Sequence, residues 1–194
     1  MQSVLDAVAE RLMTQNESLI RIPEICEATG VNYGSVYHHF GSRDGVIDAA
    51  YNMIFAELIQ RDIEIIKQVS DSAQNLEEYL TSMGPIVESF ATGEGRKERR
   101  ALRLRIVSAA MTRPELRILI GMTQAQMTNE LLRLVESGQE RGFVRRDMTA
   151  RSIAVLLQIV VFGRTLDDVS ISPIDDTEWE LSMAALFSSL LNLS

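Results

Sequence analysis

The polar side chains between Tyr33 and His39 carry the hydrogen-bonding chemistry of the first quarter of the chain. Tyr33, Gly34, Ser35, Tyr37, His38 and His39 fall within one short helical stretch. Phenol, hydroxyl and imidazole groups so placed can bind phosphate oxygens and read base edges in a duplex groove. A metal centre is the competing chemistry, and the inventory argues against it. The chain has two histidines and one cysteine. Neighbouring positions on an α-helix point about 100° apart, so His38 and His39 cannot share one ion. No third ligand completes a tetrahedral set. No metal and no cofactor is expected. Catalysis is equally poorly served: there is no Ser-His-Asp set, and Gly93-Glu94-Gly95 is too short to cradle a phosphate.

These residues need a scaffold, and Ile22 to Arg43 supplies one. Ile22 to Thr29 reads as a first short helix, with Pro23 in the turn where its missing N–H is harmless. Gly30 ends it, because the left-handed position past a helix favours glycine. Val31 can plug the corner, and Asn32 is a good N-cap for a second helix from Tyr33 to about Phe40. Val36 and Phe40 share its inner face, with Tyr33 and His39 beside them. Gly34, Ser35, Tyr37 and His38 point outward. Two short helices, a tight turn and a polar outer face describe a helix-turn-helix.

Gly30-Val31, Tyr37-His38-His39-Phe40, Gly41-Ser42 and Arg43 together resemble the recognition-helix signature of the TetR family of transcriptional regulators. The resemblance covers about the first quarter of the chain. It implies that Asn32, Tyr33, Gly34 and Ser35 enter the major groove, since the N-terminal part of such a helix does so. Tyr37 is expected on a phosphate, and His38 on a base edge or phosphate, with His39 beside it. Tyr33 is expected either to stack on a thymine methyl or to pack at home. Arg43 matches the family's basic residue and is expected to contact phosphate. Arg21 stands where relatives place a hydroxyl, so it would offer a charged contact instead. Relatives often carry a basic arm before the first helix. Here only Met1-Gln2-Ser3 precedes it, so no arm contact is expected.

The 194 residues are enough for one medium or two small domains, and a hydrophobic share of 46% supports a folded chain. A single cysteine excludes an intramolecular disulfide and points to a reducing compartment. The first helix, about Ser3 to Met13, carries Asp6, Glu10 and Arg11 and is no signal peptide. The longest apolar run, Ile153 to Phe162, contains Gln158 and is too short to span a bilayer. A cytoplasmic protein is expected. The net charge is −8. Residues 1–50 hold three basic residues (Arg11, Arg21, Arg43) and seven acidic ones. Non-specific DNA affinity should therefore be low, because phosphate neutralisation supplies most of it.

The predicted fold is all-α with about nine helices. Residues 1–45 form a three-helix DNA-binding domain, and residues 46–194 a helical ligand-binding and dimerisation domain. A long helix capped by Ser42 joins them, its apolar face carrying Val46, Ile47, Ala50, Ile54, Leu58, Ile65 and Val69. Further helices are expected over Leu76–Phe90 (interrupted at Gly84-Pro85), Arg96–Met111, Pro114 to about Gln139, Met148 to about Leu166, and Asp176 to near Leu193. A polar loop is expected from Thr14 to Ser18.

The resemblance implies that a small-molecule effector, expected to be apolar, binds the second part. Met83, Phe90, Arg103, Met111, Met122, Met127 and Phe162 are the candidate lining residues, with core packing as the competing reading. The run from Arg96 to Arg105 reads first as a solvated helix face or a set of internal ion pairs. Two apolar stripes near the C-terminus carry Leu156, Val160 and Gly163, and then Met183, Phe187 and Leu190. The family places its homodimer interface on its last two long helices, and Gly163 would allow close approach there. The expected function is a ligand-responsive regulator, a repressor that binds a palindromic operator on double-stranded DNA as a homodimer. No membrane and no enzymatic activity is expected. The alternative is a protein of the same fold that binds a ligand or partner and has lost sequence-specific DNA binding.

Overall fold

A computed structural model describes residues 1–70, 74–75, 77–79, 81–82, 84 and 95–191. Eight α-helices have defined bounds: α1 Gln2–Thr14, α2 Ile22–Thr29, α3 Tyr33–Phe40, α4 Arg43–Ser70, α5 Arg96–Thr112, α6 Pro114–Glu140, α7 Ala150–Asp167 and α8 Asp176–Ser189. Residues 77–79, 81, 82 and 84 are also helical, within the span expected for one more helix. Among the described residues the only β-type pairing is an isolated bridge between Val144 and Leu191.

The chain groups into two compact units. The first comprises Met1–Leu58 together with Arg105–Thr123; the second comprises Ile59–Leu104 and Gln124–Ser194. Helices α4, α5 and α6 each contribute residues to both.

In the first unit, α1 buries Val4, Val8, Ala9 and Leu12, one helical face. Met13 is exposed, because it lies one position round from Leu12. The expected loop over 14–18 instead contains a 3₁₀ turn, Glu17–Leu19. Asn16 starts this turn by accepting the Ser18 amide at 3.0 Å. Along α4, Val46, Ile47, Ala50, Tyr51, Ile54 and Phe55 are buried in the first unit, and Ile59, Ile63 and Ile66 in the second. Leu58 and Ile65, expected on this face, are half-buried at its flanks.

In the second unit, Thr149 caps α7 by accepting the Ser152 amide at 3.1 Å. Asp175 caps α8 by accepting the Glu178 amide at 2.8 Å. The last helix ends at Ser189 rather than near Leu193. The Arg145 amide takes the Leu190 carbonyl at 3.0 Å, and Leu191 pairs with Val144, so this backbone leaves the helix to bond the 141–147 turn. Arg100 holds Asp168 through two hydrogen bonds of 2.6 Å. That pairing keeps the Asp168 carboxyl below its ordinary range.

Tyr79 and Tyr51 are both buried, one in each unit. Burial is the largest cause that raises each phenol, to about 12. Beside Tyr51, the Glu17 carboxylate raises it further. An ordinary phenol ionises near pH 10. The folded state therefore keeps protons that the unfolded chain loses above that pH. The stabilisation is complete below about pH 10 and is lost as the pH rises towards 12. Thermal unfolding followed by circular dichroism should show a fall in Tm from pH 10 to 12. The fall should be smaller in Tyr79→Phe, which removes one of the two linked protons; an equal fall in the variant would contradict this.

Candidate nucleic-acid interface

Three local features shape α2 and α3. Gly30 adopts φ 68°, and the amides that follow turn back, Gly30 N–H to Glu27 at 3.3 Å and Val31 N–H to Cys26 at 3.1 Å. Asn32 then caps α3, its side chain accepting the Ser35 amide at 3.2 Å. Gly34 lies close against this cap, since a Cβ there would stand 3.0 Å from Asn32 Oδ1. Ile22, Ile25, Cys26 and Val36 face the core. Burial raises the Cys26 thiol, so this cysteine stays a neutral packing group.

The outer face is the one the sequence predicts. Asn32, Gly34, Ser35 and His38 are exposed, and Tyr37 is half-buried. His39, expected beside the inner face, is exposed as well; its ring meets Phe40 edge-on, centroids 4.5 Å apart. Tyr33 is 44% exposed, and its ring lies 4.4 Å from that of Tyr37 at an angle of 36°. The neighbouring Tyr33 phenol is the largest cause raising Tyr37. Tyr33 thus packs against Tyr37 and leaves part of its ring exposed.

The arginines are more occupied than their positions suggest. Arg43 donates from Nε to the Ile20 carbonyl at 3.4 Å and from Nη2 to the carbonyl of Glu17. It also pairs with Asp44 at 3.2 Å. Its guanidinium therefore ties the start of α4 to the turn before α2. Arg11 pairs with Glu24 at 3.5 Å. Arg21 is exposed, with a single long bond of 3.5 Å to the Ser18 carbonyl. Among the described residues, this face presents mostly neutral donors and acceptors, with Arg21 its least engaged cation.

Sequence reading passed over Gly45. A Cβ at this position would stand 2.0 Å from the Phe40 carbonyl oxygen. The first turn of α4 rides directly on the last residue of α3, and only glycine permits that approach. Ser42 caps α4 as expected, accepting the Gly45 amide at 2.9 Å. The signal was available: a glycine in the first turn of a long helix is unfavourable without a packing reason.

The remaining candidates divide between the two units. Arg103 pairs with Asp62 at 2.6 Å, an ion pair between α5 and α4. Met111 and Met122 belong to the first unit and are 71% and 65% exposed. Met127 is buried and Phe162 half-buried in the second unit. Met83 and Phe90 lie outside the described residues. On α7, Leu156 is exposed, while Val160 and Gly163 are half-buried, and no atom would lie within 4 Å of a Cβ at Gly163. On α8, Met183 is buried and Phe187 half-buried, and Leu190, just past its end, is half-buried. Sequence reading missed more open apolar positions, Val155, Ile159 and Leu181. No group of three or more potential metal ligands occurs among the described residues.

A capped second helix with a polar outer face, set on a three-helix unit in an all-helical chain, defines a helix-turn-helix protein. Residues 5–50 match the model of the bacterial regulatory proteins of the tetR family. A 79-residue segment is 28% identical to the HTH-type transcriptional repressor KstR2 of Rhodococcus jostii, covering 41% of this chain and 39% of that protein. The match thus spans well under half of that relative. A bacterial regulatory protein in the tetR family from Rhodococcus RHA1 superposes with a TM-score of 0.65 at 15% identity, covering 100% of this chain and 97% of its own. A protein of Saccharomonospora viridis, solved in complex with choline, superposes with a TM-score of 0.66 at 15% identity, covering 98% and 97%. Residues 5–50 therefore form a tetR-family helix-turn-helix domain, and the whole chain has the fold of TetR-family regulators.

The α3–α4 junction is directly testable. Gly45→Ala forces a methyl into the Phe40 carbonyl and should destabilise the protein by about 1–3 kcal/mol, the usual range for overpacking. Urea unfolding measures it. A neutral outcome would mean that α3 and α4 can part without cost.

Proposed function

We propose that this protein is a ligand-responsive transcriptional repressor that binds a palindromic operator as a homodimer. The observation that carries the reading is the outer face of α3, with Ser35, His38 and His39 exposed and Tyr37 half-buried on a tetR-family domain. One eight-residue helix contacts only a few base pairs, so two copies about one DNA turn apart are needed for specificity. An exposed apolar stripe supports pairing of copies: Val155, Leu156, Ile159 and Leu166 on α7 recur at helical spacing, and Leu181 lies exposed on α8. Exposed apolar residues grouped in this way mark interaction surfaces.

The effector is a small molecule bound in the second unit, with Met127 and Phe162 as the lining candidates. That a protein of the same fold holds choline supports a small-molecule site of this kind. An effector must bind the DNA-incompetent conformation better than the competent one, and operator DNA must weaken effector binding by the same factor. The setting is cytoplasmic, and no described helix is long and apolar enough to cross a membrane.

Two variants test the halves of this reading. Ile159→Glu should shift the protein from dimer to monomer in sedimentation velocity. Ser35→Ala combined with His38→Ala, both exposed, should keep a Tm close to wild type while losing the footprint on any duplex that the wild-type protein protects. An Ile159→Glu protein that stays dimeric removes α7 from the interface. Unchanged protection by the double variant removes α3 from recognition.

A further inference from the structure

The side chains that name a base most sharply are absent from α3. They are Arg or Lys on guanine, Asn or Gln on adenine, and Asp or Glu on cytosine. Tyr33 to Phe40 include none of these residue types. Asn32, just before the helix, has its amide oxygen turned back onto the Ser35 amide at 3.2 Å, away from a two-bond pairing with adenine. Neighbouring arginines of the first unit are committed as well. Arg43 donates to the backbone carbonyls of Glu17 and Ile20. Arg113 bridges the carboxylates of Glu17 and Asp48, and Arg105 donates to the carbonyls of Leu12 and Gln15. Arg21 is exposed, but it precedes α2, the helix that crosses the phosphate backbone in this motif.

Ser35, His38 and His39 are the exposed polar side chains of α3. A hydroxyl both donates and accepts, so it serves several bases alike. The two ring nitrogens of an imidazole point apart, so each histidine makes one bond to a given base edge. Thymine carries the one major-groove feature that calls for no hydrogen bond, its C5 methyl. Tyr33 matches it. It is the first residue of α3 and, at 44% exposure, the only large apolar side chain of that helix that is exposed. Its ring packs against Tyr37, centroids 4.4 Å apart, and Gly34 beside it has no side chain to cover the open part. A ring already packed at home loses less freedom on binding than a free one.

We propose that Tyr33 is a specificity-determining residue that reads a thymine C5 methyl in each half-site, so that the operator is distinguished by methyl contacts at A·T pairs rather than by paired hydrogen bonds to guanine. The inference rests on the operator-binding reading above and names what the recognition helix of that reading recognises.

Deoxyuridine is the probe, since it pairs as thymine does and lacks only the methyl. A duplex that the wild-type protein recovers from a random pool is remade with deoxyuridine for thymine, one position at a time in both half-sites together. Affinity is measured by fluorescence anisotropy. At one position the wild-type protein should lose about fourfold per half-site, the scale of one buried methyl group, and roughly fifteenfold for the symmetric pair. Tyr33→Ala should bind the thymine and deoxyuridine duplexes equally. Tyr33→Phe, which keeps the ring, should retain the difference. Wild-type indifference to deoxyuridine at every position would overturn the proposal, however the variants behave. An undiminished penalty in Tyr33→Ala would do the same, because another group would then hold the methyl. A penalty that vanishes in Tyr33→Phe would assign the contact to the hydroxyl and overturn methyl reading too. A random pool that yields no consensus would sink the operator-binding reading itself, an outcome separate from a consensus whose thymine methyls go unread.

Discussion

The convergence of Arg43 and Arg113 on Glu17 is the interaction on which the geometry of the first unit depends. The turn that carries Glu17 is short and has no buried side chain of its own. Its position comes from polar groups: Asn16 starts it, the Arg43 guanidinium takes its carbonyl, and Arg113 takes its carboxylate. Each of these bonds links a different part of the chain. Arg43 follows α3, Arg113 lies between α5 and α6, and Asp48 rides on α4. Hydrophobic burial gives the unit its stability, but it is indifferent to small sliding movements. Directional charge-assisted bonds are not, and here they are placed where sliding would move α3.

The same arginines explain how an acidic protein can carry a DNA-binding domain. Cations of the first unit are largely spent on its own backbone and carboxylates. The outer face of α3, the surface proposed to meet DNA, offers hydroxyl, phenol and imidazole groups instead. Such groups contribute less to non-specific attraction and more to discrimination, because each must meet a particular acceptor or donor. Tyr33 and Tyr37 pack against each other on this face, their ring centroids 4.4 Å apart.

Local physics made much of this legible in the sequence. Gly30, Asn32 and Ser42 act within a few residues of themselves, and their roles as C-cap, N-cap and N-cap follow from backbone rules alone. Helix bounds from Arg96 to Glu140 could be read from Pro114 and from the apolar spacing. What chain order hides is the return of residues 105–123 to the first unit. Arg113 meets partners 65 and 96 positions away, and Arg105 meets partners 90 and 93 positions away. Arg103 reads like a pocket residue because its partner, Asp62, lies 41 positions away. Met111 and Met122 are exposed for a related reason: an apolar residue in sequence carries no sign of whether its face is covered. Gly45 differs from these, because its helix-breaking position was visible and only its partner, the Phe40 carbonyl, was not.

The most direct test of the account is selection of random duplex DNA on the purified protein at low and physiological salt. The account predicts one palindromic consensus with half-sites about one helical turn apart, retained at the higher salt. Weak binding that leaves no consensus and disappears as salt is raised would contradict it, and would leave the fold with a ligand- or partner-binding role instead.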